Sequence, residues 1–173
     1  KVAVRFRRDK EGEELDDWDF NLDTCEVKLR EKKFVFDTLL DMDCPQDEMY
    51  EKVASKTIED FTNGYHGTLF AYGNSGSGKT YSIVGPDEIV EFLAKDFSVV
   101  PEDIQKLYGV IPRATISIFN AINEYTAGGA TVSLMASYIE IYNETITCLL
   151  NGKENLKVQE IPKVGFNISG KEE

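Results

Sequence analysis

The chain has 173 residues, enough for one domain with a real core, since a compact chain of this length buries roughly 70% of its unfolded surface. Its 31 acidic and 19 basic side chains give a formal net charge of -12, which argues against a generic nucleic-acid binder and against attraction to anionic membranes. No apolar run approaches the ~20 residues that a membrane-spanning helix needs, and the charged first segment is unlike a signal peptide.

The cysteine and histidine content narrows the possible chemistry. Cys25, Cys44 and Cys148 are odd in number, far apart and outside any C-x-x-C arrangement, which predicts free thiols in a cytosolic protein. The single histidine, His66, argues against a hydrolase with a histidine base and excludes a histidine-rich metal site.

The beginning of the chain predicts strands on either side of an acidic segment. Residues 2–6 predict a first strand, and residues 9–19 predict a solvated loop because so many carboxylates cannot be buried together. Apolar residues then alternate with polar ones, which is the period of a strand or a hairpin. These apolar positions are Val27, Leu29, Phe34 and Phe36.

A helix is predicted to start near Asp43, because Pro45 suits a first helical turn and the acids after it complement the helix dipole. Asn63-Gly64 should end it, with glycine in its usual C-terminal position. The continuous apolar run at residues 68–72 then predicts a strand buried on both faces, as in a parallel sheet, with its aromatic side chains in the core.

Residues 86–109 contain two prolines and predict an elaborated surface loop with short helical pieces. Four elements are predicted after it: a helix from Pro112, a turn at Gly128-Gly129, a long strand over residues 131–142 and a short strand over residues 156–161. Within the long strand, Glu140 is expected to be a buried, paired carboxylate. The order of strands and helices argues for an α/β architecture.

One motif carries chemistry: residues 73–80 read Gly-Asn-Ser-Gly-Ser-Gly-Lys-Thr, which is G-x-x-x-x-G-K-[ST]. It follows the predicted buried strand and precedes a segment that can open a helix, which is the setting a phosphate-binding loop requires. Its glycines allow backbone N–H groups to point inward and hold phosphate oxygens. Lys79 would reach the β- and γ-phosphates, and the Thr80 hydroxyl would ligate Mg²⁺.

Phosphoryl transfer also needs a second carboxylate that orients the metal, and groups that position the attacking water. The only D-x-x-G match is Asp9-Lys10-Glu11-Gly12, which lies in the acidic segment and is not preceded by four apolar strand residues. The sequence therefore predicts a nucleotide-binding loop, but it shows no evident motif for the groups that hydrolysis needs.

Several phrases resemble the kinesin motor domain, in the order in which they occur in that family. Residues 64–73, which run into the glycine-rich loop, resemble the kinesin motor signature. The other matching phrases are Arg5-Phe6-Arg7, Phe34-Val35-Phe36-Asp37, Gln46 through Tyr50, Gly109-Val110-Ile111-Pro112-Arg113 and Ser137 through Glu144. Myosins have a similar loop, but they lack these flanking phrases.

The resemblance implies a P-loop NTPase-type α/β fold, with a central sheet flanked by helices. It extends to about Gly170 but corresponds only to the N-terminal half of a motor domain, because the family's switch I and switch II phrases are absent. Residues 1–173 are therefore expected to be the nucleotide-binding half of a motor domain, and this fragment alone is expected to be inactive.

The resemblance also implies a function: ATP hydrolysis coupled to movement along microtubules in the complete domain, in the cytoplasm on the cytoskeleton. It implies ATP or ADP with Mg²⁺ as ligands, tubulin as partner, no nucleic acid and no membrane insertion; the oligomeric state stays open. Lys79 and Thr80 are the expected catalytic residues, and Thr80 the expected metal ligand. The expected nucleotide-binding residues are Arg5, Gly73, Asn74, Ser75, Gly76, Ser77, Gly78, Lys79, Thr80 and Tyr81.

Three departures from the family pattern matter. Arg8 stands where kinesins have a proline whose strand edge packs against adenine, so stacking on the base is expected to differ. Asn74-Ser75 replaces Gln-Thr but stays small and polar. The turn after Val158, a microtubule contact region in kinesins, carries Lys163 as its only cation, where kinesins often have several basic residues.

Two alternative functions stay open. The chain could belong to a non-catalytic, kinesin-like module that holds nucleotide or tubulin without turnover, or to an unrelated P-loop enzyme such as a nucleotide kinase. The kinesin phrases argue against the second alternative. The coding sequence downstream of Glu173 would distinguish the motor from the non-catalytic module, since only a motor needs both switch phrases.

Overall fold

The structure is a computed structural model that describes residues 1–8, 18–93, 101–163 and 165–171. The chain divides into two compact units, Lys1–Ala127 and Gly128–Glu173. In the first unit, β1 (Ala3–Arg5) pairs in parallel with β5 (Thr38–Leu40). This confirms the first predicted strand. A parallel pair is typical of α/β folds, and it buries Leu39 and Leu40.

A separate antiparallel sheet consists of β2 (Trp18–Asn21), β3 (Glu26–Leu29) and β4 (Lys32–Val35). The strand or hairpin predicted from the alternating residues between Val27 and Phe36 is confirmed as the hairpin of β3 and β4, which ends at Val35. The loop predicted over residues 9–19 is wrong at its end, because Trp18 and Asp19 lie in β2. The Trp18 ring stacks on Phe6 at 4.6 Å, so packing of an aromatic residue outweighs the acidic neighbours. Residues 9–17 lie outside the described residues.

The helix predicted to end at Asn63-Gly64 forms as two pieces, α1 (Gln46–Val53) and α2 (Ser55–Thr62). The hydrogen-bond ladder nevertheless continues across the fully buried Ala54, whose N–H donates to the Tyr50 carbonyl and whose carbonyl accepts from Ile58. The predicted end is confirmed, because Gly64 has a φ of 92° and donates to the Phe61 carbonyl.

The described part of the first unit contains four more helices: α3 (Lys79–Ile83), α4 (Asp87–Leu93), α5 (Glu102–Gln105) and α6 (Val110–Ala127). The predicted short helical pieces within residues 86–109 are confirmed by α4 and α5, while residues 94–100 lie outside the described part. The core lies between β5, α1 and the start of α6, and it contains Leu40, Cys44, Met49, Tyr50, Ala54 and Val110. None of the described helices is both long and apolar enough to span a bilayer.

The buried strand predicted over residues 68–72 is wrong. The segment forms no strand in the structure, and Phe70 and Tyr72 are 82% and 95% exposed, so the aromatic core expected here is absent too. A strand buried in a sheet needs a hydrogen-bonded neighbour on each side, and no described strand pairs with this segment. A cavity of about 170 Å³ is lined both by this segment and by Ala3 and Arg5 of β1.

In the second unit, β6 (Ile139–Tyr142) and β7 (Thr145–Cys148) form one hairpin, and β8 (Lys157–Ile161) and β9 (Gly165–Ser169) form another. The predicted short strand after residue 156 is confirmed as β8. The long strand predicted over residues 131–142 is wrong, because only its last four residues find a partner, across a turn in which Asn143 and Glu144 have positive φ. Glu140 is exposed and not buried.

Candidate functional site

The glycine-rich loop, residues 73–80, has a backbone that requires glycine. Gly73, Gly76 and Gly78 have φ values of 157°, 77° and 95°. At Gly73 the loop also closes on itself, since a Cβ there would lie 2.5 Å from the Ser77 hydroxyl oxygen. At Gly78 there is open space, but its left-handed conformation disfavours any residue with a side chain. The spacing of glycines therefore fixes the path of the loop into α3.

The loop wraps around the ammonium group of Lys79. Its Nζ donates to the Gly73 carbonyl at 2.9 Å and to the Asn74 carbonyl at 2.7 Å. An ammonium group has three donors, so these two bonds orient the group and one donor is left for an anionic ligand. The two loop carbonyls therefore act as positioning groups for the lysine.

The polar residues of the loop differ in their surroundings. The Ser77 N–H donates to the Asn74 carbonyl at 3.2 Å and closes a turn, while Asn74 and Ser75 are exposed. Thr80 is the second residue of α3 and is also exposed, so its hydroxyl is accessible to a ligand. A phosphate-bound Mg²⁺ needs few protein ligands, and one accessible hydroxyl beside a glycine cradle fits that requirement.

A cavity of about 660 Å³ adjoins the loop. It is lined by four cationic side chains and one acid, although the whole chain carries a net charge of -12. The cations are Arg5, Arg7, Arg8 and Lys106, and the acid is Asp43, which forms an ion pair with Arg8. This local excess of positive charge suits an anionic ligand.

Arg5 is held at the wall of this cavity by three hydrogen bonds. Its Nη1 donates to the Gln46 side-chain oxygen at 2.7 Å and to the Ser82 hydroxyl at 3.0 Å, and its Nη2 donates to the Cys44 carbonyl at 3.0 Å. The guanidinium carbon lies 5.1 Å from the centre of the Tyr81 ring, within the range of a cation–π contact. The Arg5 guanidinium and the Tyr81 ring therefore lie against each other at the wall of this cavity.

The structure brings together only some of the residues that the sequence predicted for the site. Five of them line the large cavity: Arg5, Gly76, Ser77, Gly78 and Tyr81. Lys79 lines the smaller neighbouring cavity together with Ser77 and Gly78. The remaining predicted residues line neither cavity; these are Gly73, Asn74, Ser75 and Thr80.

The residues of this site that sequence reasoning missed include Cys44, Gln46, Ser82 and Lys106. Gln46 opens a phrase that resembles the start of the first kinesin helix, but that phrase did not connect it to the site, and Ser82 carried no signal beyond its place after the loop. Burial is the main cause that raises the pKa of the Cys44 thiol, and the nearby Glu48 carboxylate adds to the rise. The thiol therefore stays neutral, and Cys44 contributes its carbonyl, not a charge, to the cavity wall.

Comparison with protein families and known proteins gives one consistent result. A family model described as the kinesin motor domain matches residues 7–173. The chain is 37% identical over 150 residues to Kinesin-related protein 5 of Dictyostelium discoideum. The aligned region covers 86% of this chain and 14% of that protein. It is 33% identical over 179 residues to the Kinesin heavy chain of Gibberella moniliformis, covering 98% of this chain and 18% of that protein.

A solved structure of a fast kinesin, described for its ATPase mechanism and its interactions with microtubules, matches with a TM-score of 0.76 at 29% identity. The match covers 99% of this chain and 46% of that kinesin chain. This chain therefore spans less than half of the solved kinesin, and less than a fifth of the two full-length relatives. The similarity confirms the α/β class that the order of elements predicted.

Proposed function

Because the chain belongs to the kinesin motor domain family, we propose that it supplies the ATP-binding part of a motor that hydrolyses ATP and moves along microtubules. The observation that carries this proposal is the Lys79 ammonium, held by two carbonyls of its own loop next to a large, cationic cavity. A glycine cradle with an oriented lysine suits the phosphates, and the cavity has room for the nucleoside.

Each part of the site has a role in this proposal. The loop from Gly73 to Gly78, including Asn74, Ser75, Gly76 and Ser77, surrounds the phosphates of ATP or ADP. Lys79 contacts the β- and γ-phosphate oxygens, and Thr80 ligates Mg²⁺, which neutralises charge on those oxygens when it is bound. Arg5 and Tyr81 lie beside the base, on the same wall of the cavity.

The proposal extends to the whole protein and its surroundings. Residues 1–173 form part of one motor domain, and the groups that position the attacking water come from other parts of the protein. The partner is the microtubule, the location is the cytoplasm and the cytoskeleton, and neither nucleic acid nor membrane insertion is part of the function. The net charge of -12 does not conflict with binding to acidic tubulin if the basic contact face lies mainly in other segments.

The test is nucleotide affinity after removal of the lysine charge. Charge-assisted contacts are worth roughly 1.5–3 kcal/mol, so Lys79→Ala in the full-length protein should weaken the binding of fluorescent Mg·ADP at least about tenfold. Lys28→Ala is the matched control, because Lys28 is an exposed lysine of β3, outside both cavities. Equal ADP affinity in the wild type and in Lys79→Ala would contradict the assignment of the site.

A further inference from the structure

Gln46, the first residue of α1, is a polar side chain in an apolar setting. It is 2% exposed and is the only fully buried polar side chain among the residues whose exposure the structure describes. Its neighbours on α1, Met49 and Tyr50, belong to the core. Burying an amide costs free energy unless its donors and its acceptor are satisfied, so the hydrogen-bond partners of Gln46 explain why it can lie there.

The Gln46 amide bonds to three segments that are far apart in the sequence. Its oxygen accepts from Arg5 Nη1 at 2.7 Å, and its nitrogen donates to the Tyr81 carbonyl at 2.7 Å and to the Leu107 carbonyl at 3.3 Å. These partners belong to β1, to α3 and to the segment between α5 and α6. One side chain therefore connects the two residues, Arg5 and Tyr81, that face each other across the cation–π contact.

We propose that Gln46 is a positioning residue for the base of the nucleotide: it fixes the Arg5 guanidinium and the backbone of Tyr81 at the wall of the large cavity. The inference rests on the proposed function, because it needs a nucleotide in that cavity. Within the described residues, the Gln46 side chain forms no hydrogen bond to the glycine-rich loop, residues 73–80. Its contribution therefore concerns the base and leaves the phosphates to the loop.

The energetic reason is the limited freedom of Arg5. The Gln46 oxygen is one of three acceptors that hold the guanidinium, the others being the Ser82 hydroxyl and the Cys44 carbonyl. Without the amide, Arg5 loses its shortest bond, and the Tyr81 and Leu107 carbonyls lose a donor. A long cationic side chain recovers rotamer freedom when an acceptor is lost, so ordering it against a base would then cost affinity.

The experiment compares a ligand with a base and one without, in the full-length protein. The dissociation constants of Mg·ADP and of magnesium pyrophosphate are measured for the wild type and for Gln46→Met, which keeps a similar volume and removes all three hydrogen bonds. The Mg·ADP affinity should fall about tenfold, the usual effect of losing a bond to a charged group, while the pyrophosphate affinity stays within about twofold.

Tyr50→Phe is the matched control. Tyr50 lies on the same helix and is 6% exposed. The substitution removes one hydrogen bond of 3.0 Å between the Tyr50 and Ser117 hydroxyls. Tyr50 does not line the large cavity. The substitution should change neither dissociation constant. If Gln46→Met does not unfold cooperatively, Gln46→Leu replaces it: leucine is also uncharged and forms none of the three hydrogen bonds, so Mg·ADP should again weaken selectively.

Two results would overturn the inference while leaving the proposed function intact. If the Gln46 variants weaken both ligands equally, the residue only stabilises the fold; if they weaken neither, it does not position the base. A wild-type protein that binds neither Mg·ADP nor pyrophosphate would instead overturn the proposed function itself, and the inference with it.

Discussion

Gly78 and Gly129 have nearly the same backbone conformation, with φ values of 95° and 89°, and a Cβ at either position would meet nothing within 4 Å. Alanine at either position should therefore cost about 1–2 kcal/mol of stability, the usual penalty of a left-handed conformation. Gly78 alone joins the glycine-rich loop to α3. Relief of its strain would turn the peptide that leads into Lys79, so the two substitutions should differ in their effect on the ligand.

We expect Gly78→Ala and Gly129→Ala to lower the free energy of unfolding by similar amounts in the full-length protein. Only Gly78→Ala should also weaken Mg·ADP binding, roughly three- to tenfold, since about 1 kcal/mol of strain opposes the bound geometry. Chemical denaturation and fluorescent-nucleotide titration measure the two effects. Equal ADP affinities in the two variants would mean that the Gly78 conformation does not matter for binding.

At the scale of elements, the hairpin of β8 and β9 carries the one basic residue that sequence resemblance connects to the microtubule. Lys163 is exposed in the turn between these strands and has a φ of 67°. An exposed ion pair is typically worth ~0.2–1 kcal/mol and is screened by salt. The turn can therefore tune the proposed microtubule contact, but one cation cannot carry it.

We expect Lys163→Glu in the full-length protein to weaken microtubule affinity only a few-fold, and mainly at low ionic strength, because a screened surface charge is removed and reversed. Co-sedimentation with microtubules at two salt concentrations measures this. Lys153→Glu is the control for the change in net charge, since Lys153 is also exposed but precedes β8. A loss above about a hundredfold, or one that salt does not change, would make this turn a central anchor of the interface.

At the scale of the whole molecule, large apolar side chains remain exposed in both units. Phe70 and Tyr72 before the glycine-rich loop are 82% and 95% exposed, Phe119 of α6 is 52% exposed, and Phe166 of β9 is 78% exposed. The described strands form four sheets of only two or three strands each. Sheets this small gain little stability by themselves, and unpaired edges invite association with other chains.

We therefore expect residues 1–173, expressed alone, to aggregate, to melt without a cooperative transition and to show no ATPase activity. The physical reasons are the exposed apolar surface of the described residues and the absence from the sequence of both switch phrases, which in the family supply groups for hydrolysis. Size-exclusion chromatography, thermal unfolding followed by circular dichroism and a phosphate-release assay provide the measurements. A cooperative melt together with steady ATP turnover would show that this segment needs no further part of the protein.

The sequence by itself determined the elements whose cause is local. The glycine spacing of residues 73–80 predicted the loop because positive φ is a property of single residues, and Gly64 predicted the end of α2 for the same reason. Alternating apolar residues predicted the hairpin of β3 and β4, whose partners are only a few residues apart. Each of these features needs no knowledge of distant parts of the chain.

Only the tertiary structure decided the features that depend on distant partners. The apolar run at residues 68–72 has the composition of a buried strand, but a strand forms only where neighbouring strands accept its hydrogen bonds, and the described residues offer none. Gln46 shows the reverse case: a residue that looks like an ordinary polar helix start is buried because Arg5, Tyr81 and Leu107 converge on its amide. Burial and pairing depend on where the whole chain lies, and no short window of sequence contains that information.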